Sequence, residues 1–248
     1  MSPPILETNA LLEVNTLRKS FGGHVAVNDL SFALEEGEII GLLGPNGSGK
    51  TTVINLISGN LAPNSGSVRF LGQEIAGHKP HRIVRSGISR TFQLVRVAAG
   101  MTARENIVAS LAFAGPRLSG AQATERANDL LQRIEMEDLA DNLASELTYI
   151  DQKRLELARA LALEPRVLLL DEWLAGLTPT ELRQGIALIH SLQETGISIL
   201  MVEHVMEAVR SLCGRCVVMS AGKLIANGPT QDVLKDSAVQ KAYLGEED

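Results

Sequence analysis

Residues 44–52 constrain the fold of this chain more than any other stretch: Gly44-Pro45-Asn46-Gly47-Ser48-Gly49-Lys50-Thr51-Thr52. They follow the apolar run Glu38-Ile39-Ile40-Gly41-Leu42-Leu43 and lead into Val53-Ile54-Asn55-Leu56-Ile57. Strand, glycine-rich loop and helix in that order are what a phosphate-binding loop requires. The glycines let backbone N–H groups turn inward around a polyphosphate, where side chains would block the approach. Lys50 supplies a mobile positive charge for the β- and γ-phosphates, and the Thr51 hydroxyl is placed to ligate Mg²⁺. The helix that follows presents free N–H groups and the positive end of its dipole to the same anion. The stretch implies a nucleoside triphosphate site.

Composition limits what surrounds that loop. A chain of 248 residues, 45% apolar and 21% charged, can bury one large α/β core or a core plus a small lobe. Its formal charge of −6 argues against a nucleic-acid-wrapping surface. No segment approaches the ~18 apolar residues of a bilayer span. Met1-Ser2-Pro3-Pro4 has neither a basic nor a long apolar leader region, which argues against secretion. Cys213 and Cys216 have C-x-x-C spacing but no second ligand pair, so two reduced thiols are expected.

Leu11–Leu17 and Val25–Leu34 alternate apolar and polar residues, as half-buried antiparallel strands do. Phe21, on the glycine-bearing segment between them, either stacks on an adenine or packs onto the sheet. Val68–Leu71 is a further strand, and Ile88–Phe92 another that delivers Gln93 at its end. A Gln there acquires meaning only beside phosphates, where its amide could ligate Mg²⁺ or hold a water. From Val95 to about Ala162 helix formers dominate. Helices are predicted over Thr102–Phe113, with Thr102 and Glu105 in capping-box spacing, over Ala123–Ile134 after a Gly115-Pro116 break, and from about Asp151. The expected organisation is a single domain with a core of about 1–94 and 163–248 and a helical lobe of about 95–162.

Arg166–Leu170 is apolar after its first residue and without alternation, which fits a strand buried on both faces of a parallel sheet. It ends in Asp171-Glu172, where α/β folds place ligands. Asp171 would hold the Mg²⁺ shell, and Glu172 could take a proton from an attacking water. Pro179 opens a helix to Glu194; Ile197–Val202 is another buried strand, carrying Glu203-His204 at its end. His204 is there either a surface residue or a contact for the γ-phosphate. A hairpin is expected around Ala221-Gly222.

Over nearly its whole length the chain resembles the ATP-binding cassette ATPases, most of all the cassette subunits of branched-chain amino acid importers. The resemblance rests on GPNGSGKTT (44–52), SRTFQ (89–93), LARAL (157–161), VLLLDE (167–172), AGLTP (175–179) and EH (203–204), with FGGHVAV (21–27) and QKAYLGEE (240–247) typical of that branch. It implies an α/β P-loop fold with a mixed central sheet, N-terminal antiparallel strands and a small helical lobe. It implies ATP hydrolysis with Mg²⁺ at the cytoplasmic face of the inner membrane. The implied partners are a second cassette, permease subunits and, indirectly, a substrate-binding protein, and none is a nucleic acid. By resemblance Phe21 stacks on adenine, Gln93 senses Mg²⁺ and the permease, Glu172 is the general base, His204 contacts the γ-phosphate, and Ala175-Gly176-Leu177 crosses the dimer interface. Lipid or lipopolysaccharide exporters and urea or amide importers have similar motifs. Relatives acting on DNA or the ribosome have coiled-coil insertions or two cassettes per chain, and a metabolic P-loop kinase would lack Gln93, Glu172 and His204 at these spacings.

The departures are informative. Where the family reads roughly L-S-G-G-Q, this chain has Leu147-Thr148-Tyr149-Ile150-Asp151. Ile150 replaces a glycine that would offer an unhindered N–H to the partner's γ-phosphate. Asp151 is an acid where a neutral amide is usual, and as a helix N-cap it would compete with and repel that phosphate. A heterodimer is therefore expected, in which this chain's ATP is closed by another subunit's signature; a homodimer turning over at both sites is the alternative. Trp173, where the family has Pro, either shields the catalytic water or packs under the interface loop. Val205 replaces an acidic residue.

Overall fold

The computed structural model describes residues 10–115 and 118–244. The expectations placed on Met1–Pro4, on Pro116 and on the end of the 240–247 stretch lie outside the described residues.

In chain order the strands are β1 (Ala10–Phe21), β2 (His24–Glu35), β3 (Ile39–Leu43), β4 (Ser65–Phe70), β5 (Gln73–Glu74), β6 (Ile88–Arg90), β7 (Val167–Asp171), β8 (Ser198–Val202), β9 (Arg215–Ser220) and β10 (Lys223–Pro229). The helices are α1 (Lys50–Ile57), α2 (Pro80–Ser86), α3 (Ala103–Leu111), α4 (Gly120–Arg133), α5 (Tyr149–Leu161), α6 (Pro179–Glu194), α7 (Met206–Leu212), α8 (Thr230–Val233) and α9 (Ser237–Leu244). Strands β2-β1-β4-β5 make an antiparallel sheet. Strands β10-β9-β3-β8-β7-β6 make a mixed sheet, parallel from β9 to β6 with β10 antiparallel at its edge.

The unbroken apolar runs of β3, β7 and β8 are buried at every position because both faces of the sheet are covered. Ile40, Leu42, Leu169, Leu200 and Val202 face one core with α1 and the antiparallel sheet. Ile39, Leu43, Leu168, Leu170, Ile199 and Met201 face the other, shared with α3–α7. The β1–β2 hairpin runs further than its alternation predicts, closing on the two-residue turn Gly22-Gly23 so that Phe21 and His24 pair opposite each other.

The capping box of Thr102 and Glu105 opens α3 as its spacing predicts. Helix α4 starts before the expected Ala123 because Ser119 and Gln122 form a second box. Helix α5 likewise starts at Tyr149 rather than near Asp151, capped by the Thr148 hydroxyl. No helix among the described residues is long and apolar enough to cross a membrane. Cys213 and Cys216 are free and buried.

Candidate functional site

Parallel strands bring their C-terminal ends to one edge, and the strand order decides which residues meet there. Gln93 follows β6, Glu172 follows β7, His204 follows β8 and the 44–52 loop follows β3, and these strands are consecutive neighbours. They open into a cleft of about 910 Å³ lined by Phe21, His24, Ala26, Asn46, Gly47, Gly49, Lys50, Thr51, Thr52, Gln93, Glu172 and His204.

The loop is shaped by close backbone approach. Gly44 has φ 147°, and a Cβ there would lie 2.1 Å from the Met219 carbonyl oxygen. Gly49 caps α1 at φ 107°, where a Cβ would lie 2.3 Å from Ala26 O. Any side chain at either position would push the loop off the antiparallel sheet and β9. Lys50 Nζ folds back to donate to Gly44 O at 2.7 Å and Pro45 O at 2.9 Å. Burial pushes the Lys50 pKa below the usual lysine value, with Glu172 and Asp171 acting the other way. Ser48 Oγ is buried without a hydrogen-bond partner among the described residues. The Gly44 N–H donates to the Tyr243 hydroxyl of α9 at 2.8 Å.

Glu172 stands one residue beyond β7 with a left-handed φ of 53°, a costly conformation for a side chain with a Cβ. Its carboxylate is bracketed: Gln93 Nε2 donates to Oε2 at 2.7 Å, and His204 Nε2 lies 3.0 Å from Oε1. Asp171, buried at the strand end, has Arg90 Nη2 3.4 Å from Oδ2, while Oδ1 has no hydrogen-bond partner among the described residues. Burial pushes the Asp171 carboxyl above the usual range, and Arg90 opposes this. Arg90 also donates to Asn55 Oδ1 at 2.7 Å and Ser58 Oγ at 2.9 Å, tying the Asp171 strand to α1. Thr51, Gln93 and Asp171 together line an adjoining cleft.

Phe21 is 47% exposed at the end of β1, on the cleft and not under the sheet, with Lys19 Nζ 5.3 Å from its ring centroid. Trp173 is 2% exposed, its ring beside Gly185 of α6, so it packs in the core and does not border the cleft.

None of Thr148, Tyr149, Ile150 and Asp151 lines this cleft. Asp151 is not the N-cap of α5, contrary to expectation: Thr148 holds that place, and its Oγ1 accepts from Asp151 N at 3.3 Å and donates to Asp151 Oδ2. A Thr-x-x-Asp spacing is a capping-box variant, and reading it so would have started the helix correctly. Ile150 occupies the second helical position and is partly buried. Ala175 and Leu177 are partly buried and Gly176 is exposed, with the Tyr149 ring 3.8 Å from where a Gly176 Cβ would stand.

Four residues of this region carry no expected role: Arg90, Tyr243, Glu203, whose Oε1 accepts from Leu174 N, and Lys153, whose Nζ donates to Trp173 O. Arg90 and Glu203 lie within quoted motifs, and Tyr243 within 240–247. Lys153 bears no local signal at all.

Residues 27–175 match the family model described as ABC transporter, and residues 223–248 match that described as Branched-chain amino acid ATP-binding cassette transporter. The high-affinity branched-chain amino acid transport ATP-binding protein BraF of Pseudomonas aeruginosa is 40% identical, with 99% of this chain and 100% of that protein covered. The lipopolysaccharide export system ATP-binding protein LptB of Escherichia coli is 33% identical, with 96% and 98% covered. A crystal structure of the ADP conformation of an ATP-binding cassette of an ABC transporter superposes with a TM-score of 0.86 at 30% identity, over 96% of this chain and all of that one.

Proposed function

This chain belongs to the ATP-binding cassette ATPases of ABC transporters and hydrolyses ATP, and from that premise we propose that it energises an importer of branched-chain or related amino acids. ATPase subunits of this kind dimerise and work with membrane permease components. The permease would hold this chain peripherally at the cytoplasmic face of the inner membrane, while a substrate-binding protein delivers the amino acid from the other side. The full-length identity of 40% and the match over 223–248 favour the importer. Lipopolysaccharide export is the second reading, favoured only by the 33% identity to LptB.

The observation that carries the hydrolytic assignment is the Glu172 carboxylate held between Gln93 and His204 at the mouth of the phosphate loop. In this reading Phe21 stacks on the adenine. The backbone N–H groups of 46–52, at the start of α1, cradle the phosphates, and Lys50 exchanges its carbonyl partners for β- and γ-oxygens. Glu172 takes a proton from a water as that water attacks the γ-phosphorus; the bond to the β–γ bridging oxygen breaks, leaving ADP and phosphate. His204 contacts the γ-phosphate, and Gln93 holds the attacking water or a metal-bound one. Mg²⁺ would be held by Thr51, Gln93 and Asp171, and the buried, unpartnered Asp171 Oδ1 suits a hard cation or its water. When bound, that ion neutralises charge across the β- and γ-phosphates.

The Ile150 and Asp151 positions support a heterodimer. The Thr148 hydroxyl is engaged by Asp151 on both its donor and acceptor sides, and a carboxylate stands in the turn that would face the partner's γ-phosphate. This chain would close its own ATP against another subunit's signature and lend a weak one in return. Steady-state ATPase of the purified chain, with size exclusion plus and minus ATP and Glu172→Gln as the trapping control, decides. Activity and ATP-dependent dimerisation only after a second cassette is added support the heterodimer. Cooperative hydrolysis by the chain alone would overturn it.

A further inference from the structure

The backbone between Glu172 and the interface loop is gripped by two buried ionisable side chains. Lys153, on α5 and 2% exposed, donates through Nζ to Glu172 O at 3.3 Å, Trp173 O at 2.8 Å and Ala175 O at 3.0 Å. An ammonium has three N–H donors, so these carbonyls use its whole capacity. From the other side Glu203, 0% exposed at the end of β8, accepts the Leu174 N–H on Oε1 at 2.7 Å. Trp173 returns a bond to the helix, its Nε1–H donating to Lys153 O at 3.1 Å.

An apolar residue at 153 would fill the same space without burying a charge, so packing alone does not account for lysine there. What Lys153 holds is informative. Its acceptors are the carbonyls of Glu172, which has the left-handed conformation, and of two residues just beyond it. Its helix begins with the Thr148–Asp151 turn, and its ammonium also lies 4.9 Å from the Tyr149 ring centroid. We propose that Lys153 is a positioning residue for Glu172: it joins the turn this chain lends to a partner's ATP and the segment carrying its own base and interface loop into one rigid unit.

The inference rests on ATP hydrolysis through Glu172 and on neither the cargo nor the identity of the second cassette. Trp173 is the only Trp in the chain, so its emission reports the clamp directly. Lys153→Met is to be compared with Leu155→Ala, a core truncation on the same helix, in whichever assembly of the unaltered chain turns over ATP. The expected result for Lys153→Met is a KM for ATP within about two-fold of the unaltered value and a kcat at least about ten-fold lower, since small displacements of a catalytic group cost rates of that order. Trp173 emission should shift to the red and become quenchable by acrylamide. Leu155→Ala, at equal or greater loss of Tm, should lose much less kcat. A kcat within about two-fold of the unaltered chain, an effect on KM alone, or a loss no greater than that of the Leu155 variant overturns the proposal. If Lys153→Met does not fold, Trp173→Phe removes one bond of the clamp and must lower kcat at unchanged KM; an unchanged kcat then overturns it. Should the unaltered chain hydrolyse no ATP in any assembly, the hydrolytic reading fails, and unchanged Trp173 emission in Lys153→Met would still overturn the clamp.

Discussion

His204 Nε2 lies 3.0 Å from Glu172 Oε1, and the opposite oxygen of the same carboxylate accepts from Gln93 at 2.7 Å. The proposed base is thereby aimed by groups from the two strands that flank its own, β6 and β8. Each oxygen has one protein partner and keeps a second lone pair, so a water can donate to Glu172 with both contacts in place.

Glu172→Gln should keep ATP binding within about three-fold and lower kcat by about 10²–10⁴, the usual contribution of a positioned base. His204→Ala should also lower kcat, with little change in ATP affinity. Gln93→Ala should affect kcat less in the isolated cassette than in the complex with permease. Single-turnover hydrolysis beside equilibrium nucleotide binding checks all three, and a Glu172→Gln variant that retains wild-type kcat would remove Glu172 from the mechanism.

Lys50→Met removes the one cation in the phosphate loop. Its present bonds are to Gly44 O and Pro45 O, within the loop itself, so the fold should survive while ATP affinity falls at least about ten-fold, the weight of one lost charge-assisted contact. Calorimetric titration with ATP, alongside a thermal melt to verify folding, measures both.

Tyr243→Phe tests the contact between the C-terminal helix and the loop. It leaves the Gly44 N–H without its acceptor and changes little else. A neutral hydrogen bond is worth about 0.5–1.5 kcal/mol, so ATP affinity should weaken about two- to ten-fold while kcat at saturating ATP is kept. An unaltered affinity would mean that the loop is held without α9.

Glu203 gives the stability a pH dependence. Burial pushes its carboxyl from the usual 4.5 up to about 7, the N–H groups of Leu174 and His204 working against that. A carboxyl with a raised pKa binds its proton more tightly folded than unfolded. Its contribution to stability is therefore complete below pH 4.5 and lost as the pH rises through about 7, a difference on the order of 3 kcal/mol. Glu203→Gln keeps an acceptor for the Leu174 N–H and does not ionise. Melting curves of this variant should fall less steeply from pH 5 to pH 7 than those of the unaltered chain and lie above them at pH 8. Parallel profiles would exclude Glu203 as the source.

Ile150→Gly combined with Asp151→Gln restores an unhindered N–H and a neutral amide to the first turn of α5. In the Glu172→Gln background this double substitution should produce an ATP-dependent homodimer that the single substitution does not form. Light scattering after size exclusion reads the difference. A homodimer of equal yield without the double substitution would mean that the turn already serves a partner's phosphate.

How much was readable in advance follows how far apart the interacting atoms lie in the chain. The 44–52 loop is local: its conformation comes from glycines adopting backbone angles that other residues resist, between a strand and a helix that its neighbours specify. The apolar runs of β3, β7 and β8 marked a sheet covered on both faces, and the acidic and imidazole groups at their ends were found by position along the strand. Phe21 and Trp173 each admit two placements from sequence, because exposure is a property of what packs above a side chain. The sheet left Phe21 open on the cleft, and α5 with α6 buried Trp173. The cap expected of Asp151 belongs to Thr148, and the Thr-x-x-Asp spacing is the local signal for it.

What the sequence alone determined was a nucleoside triphosphate site, since a glycine-rich loop between a buried strand and a helix has that chemistry built into its backbone. Only the tertiary structure decided that Gln93 and His204 would converge on Glu172, that Tyr243 would reach Gly44, and that Lys153 and Glu203 would hold the backbone between Trp173 and Ala175. Those partners are backbone groups or side chains distant in the chain, brought within hydrogen-bond range by sheet order and helix packing, and no local pattern of residues encodes that proximity.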